Sequence, residues 1–538
     1  MKEKVVVLVA VFISIVLLST SRADDICNMP VPTAEGPVVG TSDEGPGVCA
    51  YKGVPYAAPP VGDLRWRPPD PAPLRKNTLE ATAFSAQCVQ PDVGPLGGEE
   101  NKNIGMSEDC LYLNIWRPNK PGKYPVMVRI HGGAFIMGSG SQRLHNGAKL
   151  SEKKDVVVVT INYRLGPLGF LAHPALAKES PNSTTGNYGL LDQTAALKWI
   201  KENIEAFGGD SDNITIFGES AGGYSVCYQL VNPLAKGLFH RAIMECGSCE
   251  IDKTSQEDYE RGFKFAKKLK CDEGDVTACL RSKSIDEIAK TSPAPGMMSM
   301  IGMGATLFEW WPHVDGWSIV EQPIESLRNG DFNRVPLMVG TNRDEIKFFS
   351  LFMPKWIHKT PKTFVKYFTK KLCGKDAWKC ILKLYPLKNY SRPIYAVFDY
   401  VGDLTLGCKS FDVAMAVSQF QPTYYYRFDY DDHSLPEKMG AAHGFEIPFI
   451  FDSFETMSFD IIKTSEQLAS AESLAIIIMS YWANFARNAD PNGPDLLNWP
   501  MFTEKEKSRM YLDLPPHVGP TNCTEKCDYM RNRPNIIF

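Results

Sequence analysis

The sequence predicts an α/β protein with a large, mostly parallel central sheet and helices on both faces. Three observations predict it. Short β-branched or aromatic runs recur, each ending in a turn; helical apolar spacing fills the intervals; and Gly-rich or polar loops follow the runs directly. Near-continuous apolar runs suit parallel strands covered on both faces. Sheets of this kind place their ligand sites beyond the C-terminal ends of the strands.

In chain order, Pro125–Ile130 runs into His131-Gly132-Gly133, and Asp155–Ile161 into Asn162-Tyr163-Arg164. Ile214–Phe217 runs into Gly218, Leu337–Val339 into Gly340, and Tyr424–Phe428 into Asp429. Leu191, Ala195 and Trp199 fall at i, i+4 and i+8, joined by Ile200 and Ile204, so a helix is expected that stops at Gly208-Gly209. A helix is also expected over Ala221–Leu230, and a second apolar one over Ser473–Phe485. The chain has no internal repeat and no low-complexity linker, so one domain over residues 24–538 is the simplest division.

With 538 residues, 44% hydrophobic and 22% charged, the chain can bury a sizeable core. That excludes a disordered tail, a collagen and a small disulfide scaffold. Lys+Arg 58 against Asp+Glu 62 gives −4, and no Lys/Arg run marks a nucleic-acid footprint. Residues 1–23 read as a secretory signal peptide: Lys2 and Lys4 precede an apolar run over Val5–Leu18, and Ser21-Arg22-Ala23 supplies a cleavage site. No second long apolar stretch follows, so no stable membrane insertion is expected. Fourteen cysteines fit an oxidising compartment. Cys88 and Cys110, Cys271 and Cys279, Cys373 and Cys380, and Cys523 and Cys527 are spaced closely enough for pairing to be plausible. Cys246 and Cys249 have the C-x-x-C form and read as structural in a secreted chain. Of four N-x-S/T sequons, those at Asn182 and Asn389 are the better glycosylation candidates; Asn213 abuts a strand and Asn522 has Cys in the middle position.

Gly218-Glu219-Ser220-Ala221-Gly222 is a G-x-S-x-G motif between a strand and a helix. So sharp a turn strains the nucleophile's dihedrals and leaves no room for neighbouring side chains. Ser220 would stand exposed at a helix N-terminus, where the dipole and free N–H groups favour developing negative charge. His131-Gly132-Gly133-Ala134-Phe135 follows an earlier strand. Acyl transfer needs preorganised backbone donors for its oxyanion, and Gly133 and Ala134, with Ala221 after the nucleophile, are the expected ones. In this motif's fold the acid and then the base follow the serine. Among six later histidines, His443 combines a strand end with a following glycine, although spacing alone does not choose it. Asp344 and Glu345 both follow the Leu337–Val339 strand, and their positions do not separate them.

The chain resembles a type-B carboxylesterase of the cholinesterase/carboxylesterase family. The matching motifs are Ser107–Asn114, His131–Phe135, Asn162-Tyr163-Arg164, Gly186–Gln193, Phe217–Gly223, Val314-Asp315-Gly316, Gly340–Glu345, Ala442–Phe449, and Asp490-Pro491-Asn492 before Trp499-Pro500. The resemblance implies an α/β-hydrolase fold and a secreted serine esterase acting on a small-molecule or lipid-like ester, with neither metal nor organic cofactor. It implies Glu345 as the acid, His443 as the base, and disulfides Cys88–Cys110 and Cys271–Cys279. Two departures stand out. Residues 89–109 hold no aromatic, where choline-specific members carry a cation-binding tryptophan, and Cys246 stands where the family has serine. A lipase or cholinesterase-like enzyme and a non-catalytic binding relative are the alternatives. The latter usually lose the serine or histidine and gain a membrane span. Met297, Met298, Met300, Met303, Phe308, Trp310 and Trp311 are expected either to wall the substrate pocket or to be ordinary core.

Overall fold

The computed structural model describes residues 26–531 except 46, 92–103, 252–253, 293–308, 352, 457–460 and 522. The signal-peptide reading, Asn522 and the methionines of the expected apolar wall, with Phe308, lie outside the described residues; the side chains of Cys373 and Cys380 do also.

Ten strands form the main sheet: β1 Val48–Pro55, β2 Tyr112–Pro118, β3 Tyr124–Ile130, β4 Val157–Ile161, β5 Gly209–Glu219, β6 Arg241–Glu245, β7 Leu337–Asn342, β8 Thr423–Phe428, β9 Ser508–Leu512 and β10 His517–Pro520. Their spatial order is β10-β9-β8-β7-β6-β5-β3-β4-β2-β1. Strands β3 to β9 pair in parallel, while β10 pairs antiparallel with β9 at one edge and β2 pairs antiparallel with both β4 and β1 at the other.

The apolar runs are buried on both faces. In β3, Val126, Val128 and Ile130 join one core layer and Met127 joins the other; in β8, Tyr425 faces one layer, Tyr424 and Tyr426 the other. Helices α1 Tyr188–Asn203 and α2 Ala221–Val231 cover the first face with Leu197, Ile200, Val226 and Leu230. Helix α3 is Lys362–Leu384, and α4 Ser465–Asn488 covers the second face with Leu474, Ile478 and Trp482. A period-2 strand with both faces covered must be apolar throughout, which is why these runs were readable.

The structure differs from the expectation at the ends and edges. Helix α1 gives way to a 3₁₀ turn at Ile204–Phe207 before Gly208, at φ +76°, closes it. Helix α4 is longer than its apolar stretch because the Thr464 side chain caps it ahead of a solvated first turn. Strands β1, β6, β9 and β10 carry Gly, Pro or charged residues, or are short, so their composition does not announce them.

Disulfides join Cys27–Cys49, Cys88–Cys110, Cys227–Cys249, Cys271–Cys279 and Cys408–Cys527. The suggested Cys523–Cys527 pairing is overturned. The helix Cys523–Arg531 turns Cys527 onto its buried face against Cys408, and Cys523 stays a half-buried free thiol. Cys249 pairs with Cys227, so the C-x-x-C string is not a redox pair, and Cys246 remains a buried thiol. Among the described residues no helix is long and apolar enough to cross a membrane.

Candidate active site

Parallel register brings the chemistry together. Ile130 at the end of β3 lies opposite Gly218 of β5, and Glu219 opposite Glu245 of β6. Glu245 in turn faces Gly340 of β7. The loops after β3, β5, β7 and β8 therefore open at one edge of the sheet, the carboxyl end.

Ser220 sits on the turn between β5 and α2 with φ +58° and ψ −125°, a conformation that L-residues rarely adopt. Its N–H donates to the Glu245 carbonyl (3.0 Å), and its carbonyl accepts from Tyr224 N–H (2.9 Å), so the strained turn is pinned from both sides. The motif's glycines are sterically required: a Cβ on Gly222 would lie 2.2 Å from the Ile130 oxygen, and one on Gly218 2.5 Å from the Gly222 carbonyl. Gly133, Ala134 and Phe135 have φ of +108°, +53° and +59° in succession. Among the described residues, the N–H groups of Gly133, Ala134 and Ala221 donate to no protein acceptor. A Cβ on Gly132 would meet the Glu219 carbonyl at 2.7 Å and Ser220 Cβ at 3.2 Å, which measures how closely this loop packs on the elbow. His131 buttresses the loop: it stacks on Tyr163 at 4.3 Å and its Nδ1 meets the Gly132 carbonyl at 2.8 Å. Burial pushes its pKa down to about 4, so it is neutral.

The two candidate carboxylates part company here. Glu345 Oε2 accepts from His443 Nδ1 at 2.5 Å, and Oε1 accepts from the Asn342 N–H at 2.8 Å. Asp344 turns away, bound to Arg343 (2.8 Å), Lys347 (2.6 Å) and the Ala441 N–H (3.0 Å). The other later histidines make their contacts elsewhere. His240 meets Ile214 N–H, His313 lies near Asp258, His358 meets Tyr395, His433 meets Gly440, and His517 stacks on Tyr511.

His443 Nε2 faces Glu219 Oε1 at 3.1 Å, and among the described residues Ser220 Oγ makes no hydrogen bond. Among the described residues Glu219 Oε1 accepts no hydrogen bond, so its contact with the imidazole is coulombic. Burial alone would lower the histidine's pKa, but the Glu219 and Glu345 carboxylates outweigh it and raise it. Burial raises Glu219 in turn, against the pull of His443 and Arg129.

Behind these groups, the sequence pointed to Cys246 through the family's serine at that position, but not to Glu446 or Asn342. Glu446, buried, accepts from Asn342 Nδ2 and from Cys246 Sγ (3.4 Å), and burial beside three other carboxylates pushes its pKa up to about 8. Cys246 has φ +47°, and its thiol is raised well above the ordinary range by burial and by Glu345, Glu446 and Glu219, so it is neutral. Glu245 anchors the floor, paired with Arg129 (2.5 Å) and accepting from Trp482 Nε1 (2.8 Å). Glu219, Cys246 and His443 offer donor atoms within 4.8 Å of one another. Both imidazole nitrogens face carboxylates, Nε2 towards Glu219 and Nδ1 towards Glu345. Aromatic rings stand around it: Phe349 lies 5.7 Å from the His443 ring, and Trp311 packs at 4.6 Å on Phe135 and 5.0 Å on Tyr224. Trp310 and Trp311 are both buried.

A strained serine, an imidazole–carboxylate pair and backbone N–H groups without a protein acceptor are residue types that several folds use for acyl transfer. The comparisons with known proteins decide the family. The carboxylesterase family model matches residues 28–530. The chain belongs to the carboxylesterase family. It is 36% identical to the para-nitrobenzyl esterase of Bacillus subtilis over 90% of this chain and 94% of that one. It is 35% identical to the human cocaine esterase over 94% and 91%, and to the liver carboxylesterase of Sus scrofa over 88% of each. A solved PNB esterase structure superposes with a TM-score of 0.77 at 34% identity, covering 94% of this chain and all of that one. The ten-stranded sheet is thus the α/β-hydrolase fold. As a member of this family the protein is a carboxylic ester hydrolase.

Proposed function

We propose that this carboxylesterase is a secreted serine esterase using Ser220 as nucleophile, His443 as base and Glu345 as acid, on one catalytic unit spanning residues 24–538. The observation that carries the reading is the 2.5 Å contact between His443 Nδ1 and Glu345 Oε2, made beside a strained Ser220. In this reading the imidazole swings from Glu219 to Ser220 Oγ as substrate enters; catalytic hydrogen bonds often tighten only in the complex. Ser220 Oγ attacks the ester carbonyl, and its proton passes to His443 Nε2. The N–H groups of Gly133, Ala134 and Ala221 take the oxyanion. His443 returns the proton to the departing alcohol oxygen, leaving the acyl group on Ser220. Water then repeats the sequence, giving its proton to His443, and Ser220 recovers one as the carboxylic acid leaves. Glu345 on Nδ1 stabilises the imidazolium at each stage.

A fluorophosphonate probe followed by peptide mass spectrometry is the direct test. The label is expected on Ser220, and Ser220→Ala should lower kcat on the order of 10⁴-fold or more. Label on a different serine overturns the assignment.

Secretion is supported by the cleavable leader read in residues 1–23 and by five disulfides. Asn182 and Asn389 are exposed, whereas Asn213 accepts from Arg241 and donates its amide to the Arg487 carbonyl. Glycans are therefore expected at Asn182 and Asn389. Glycosidase treatment of secreted protein should convert both to Asp, and an unmodified peptide at either position removes that assignment.

A further inference from the structure

The chain is acidic by count, yet the thirty residues 346–375 hold eight lysines and no Asp, Glu or Arg. One of the eight, Lys347, is spent on Asp344. Lys355, Lys359, Lys362, Lys366 and Lys370 are exposed, and among the described residues none of the five makes an ion pair. The same stretch exposes three large aromatics: Trp356 at 59%, Phe364 at 41% and Tyr367 at 62%. They form a row, Trp356 to Phe364 and Phe364 to Tyr367 each at 6.5 Å between ring centroids. The local fold explains why the row faces outward. Val365 and Thr369, at i and i+4 of α3, are buried and fix the helix on the body, which leaves Phe364, Lys366, Tyr367 and Lys370 outside. Trp356 comes from the 3₁₀ turn Lys355–Lys359 just before it.

From this we infer that residues 355–370 dock the enzyme peripherally on an anionic lipid surface. Rings that are apolar in the body and polar at the tip settle at the headgroup level, and lysines beside them meet the lipid charge. A polyanion such as a sulfated polysaccharide would use the lysines and leave the rings in water. The aromatic row is what selects lipid. Position gives the docking a purpose. The short helix Lys347–Ser350 starts two residues after Glu345, and its Phe349 lies 5.7 Å from the His443 ring. Trp356 follows seven residues later, at most ~25 Å along an extended chain. Docking would therefore hold the site close to esters carried in lipid. This last step rests on the esterase reading, whereas the docking itself does not.

The test is co-sedimentation of the full-length protein with phosphatidylcholine vesicles, with and without phosphatidylglycerol, at physiological ionic strength. Binding is expected only where phosphatidylglycerol is present. Each lysine should strengthen it by about fivefold. Lys359→Glu/Lys362→Glu/Lys366→Glu should lower the partition coefficient on the order of 100-fold or more and, separately, Trp356→Ala/Tyr367→Ala on the order of tenfold or more. Both variants should keep wild-type kcat/KM on a soluble butyryl ester, which reports that they fold. Ser220→Ala should bind vesicles as wild type does, so failure of the catalytic assignment is distinguishable from failure of docking. No binding to phosphatidylglycerol vesicles overturns the inference. So does loss in the lysine variant with full binding in the aromatic one, or retention on heparin without vesicle binding.

Discussion

Two carboxylates flank His443, and they do different things to it. Glu345 sits on Nδ1 and fixes the ring's orientation; Glu219 sits on Nε2, the nitrogen that serves Ser220 in the proposed mechanism. Glu345→Gln should therefore lose orientation and imidazolium support together, lowering kcat on the order of 10⁴-fold. Asp344→Asn should stay within about tenfold in kcat while losing stability, since it strips charge from a buried group paired with Arg343 and Lys347. Steady-state kinetics and thermal melts of the pair decide it, and the reverse ranking in kcat would move the acid to Asp344. Glu219→Gln makes a different prediction. A negative Glu219 favours the imidazolium, which cannot accept a proton; removing that charge lowers the histidine's pKa. The acid limb of the kcat/KM profile should then move to lower pH, and an unmoved or upward-moving limb would mean that Glu219 is already uncharged beside the working base. Which of these residues the sequence announced follows from locality. Ser220, Gly133, Ala134 and Ala221 sit in short strings whose steric logic is complete within a few residues. Glu446, Cys246 and Asn342 meet only because β6, β7 and the loop after β8 end side by side, and no single string carries that register.

At the scale of elements, the site is two loops pressed together. Strands β3 and β5 are adjacent, so the loop after Ile130 and the elbow after Glu219 share one space, and the glycines are where their backbones touch. Gly132→Ala tests this. Its new Cβ would press on the Glu219 carbonyl and Ser220 Cβ, displacing the loop that carries Gly133 and Ala134. Loss of oxyanion support on the order of 10²- to 10³-fold in kcat is expected, with KM for a soluble ester changing much less. A variant that keeps its kcat would show that the loop is free to shift and does not hold the oxyanion. Central strands β3, β4, β5, β7 and β8 were readable because burial on both faces leaves an apolar signature, whereas β6, five residues long and charged at both ends, was not. The edge strands were not, because β1 and β10 answer to one neighbour and tolerate Gly and Pro. Most elements that build the site were thus legible, since a parallel sheet puts its site at the ends of its most buried strands, while β6, which carries Glu245 into the site, was not.

For the whole molecule, the relevant length is the sequence span that each covalent link closes. Cys408–Cys527 joins residues 119 apart and holds the C-terminal helix Cys523–Arg531 on the helix Cys408–Val417, whereas Cys271–Cys279 spans eight. The spacing in the sequence favoured a bridge between Cys523 and Cys527, because a distant partner is invisible until the fold brings it close. If a link stabilises by restricting the unfolded chain, the long one should contribute about 5 kcal/mol and the short one about 2.5 kcal/mol. The ion pairs on the same helix, Arg531–Asp412 at 2.6 Å and Lys526–Asp403 at 2.9 Å, are part-exposed and add at most about 1 kcal/mol each, so they do not replace the bridge. Urea unfolding of Cys408→Ser/Cys527→Ser and of Cys271→Ser/Cys279→Ser, each against wild type, measures both. The first pair should cost about twice as much as the second, with kcat/KM on a soluble ester unchanged in native conditions, because neither bridge meets Ser220, His443 or Glu345. Equal costs would mean that native packing around each bridge outweighs loop closure. A fall in kcat/KM for the first variant would mean that the C-terminal helix holds the β8 side of the site in place.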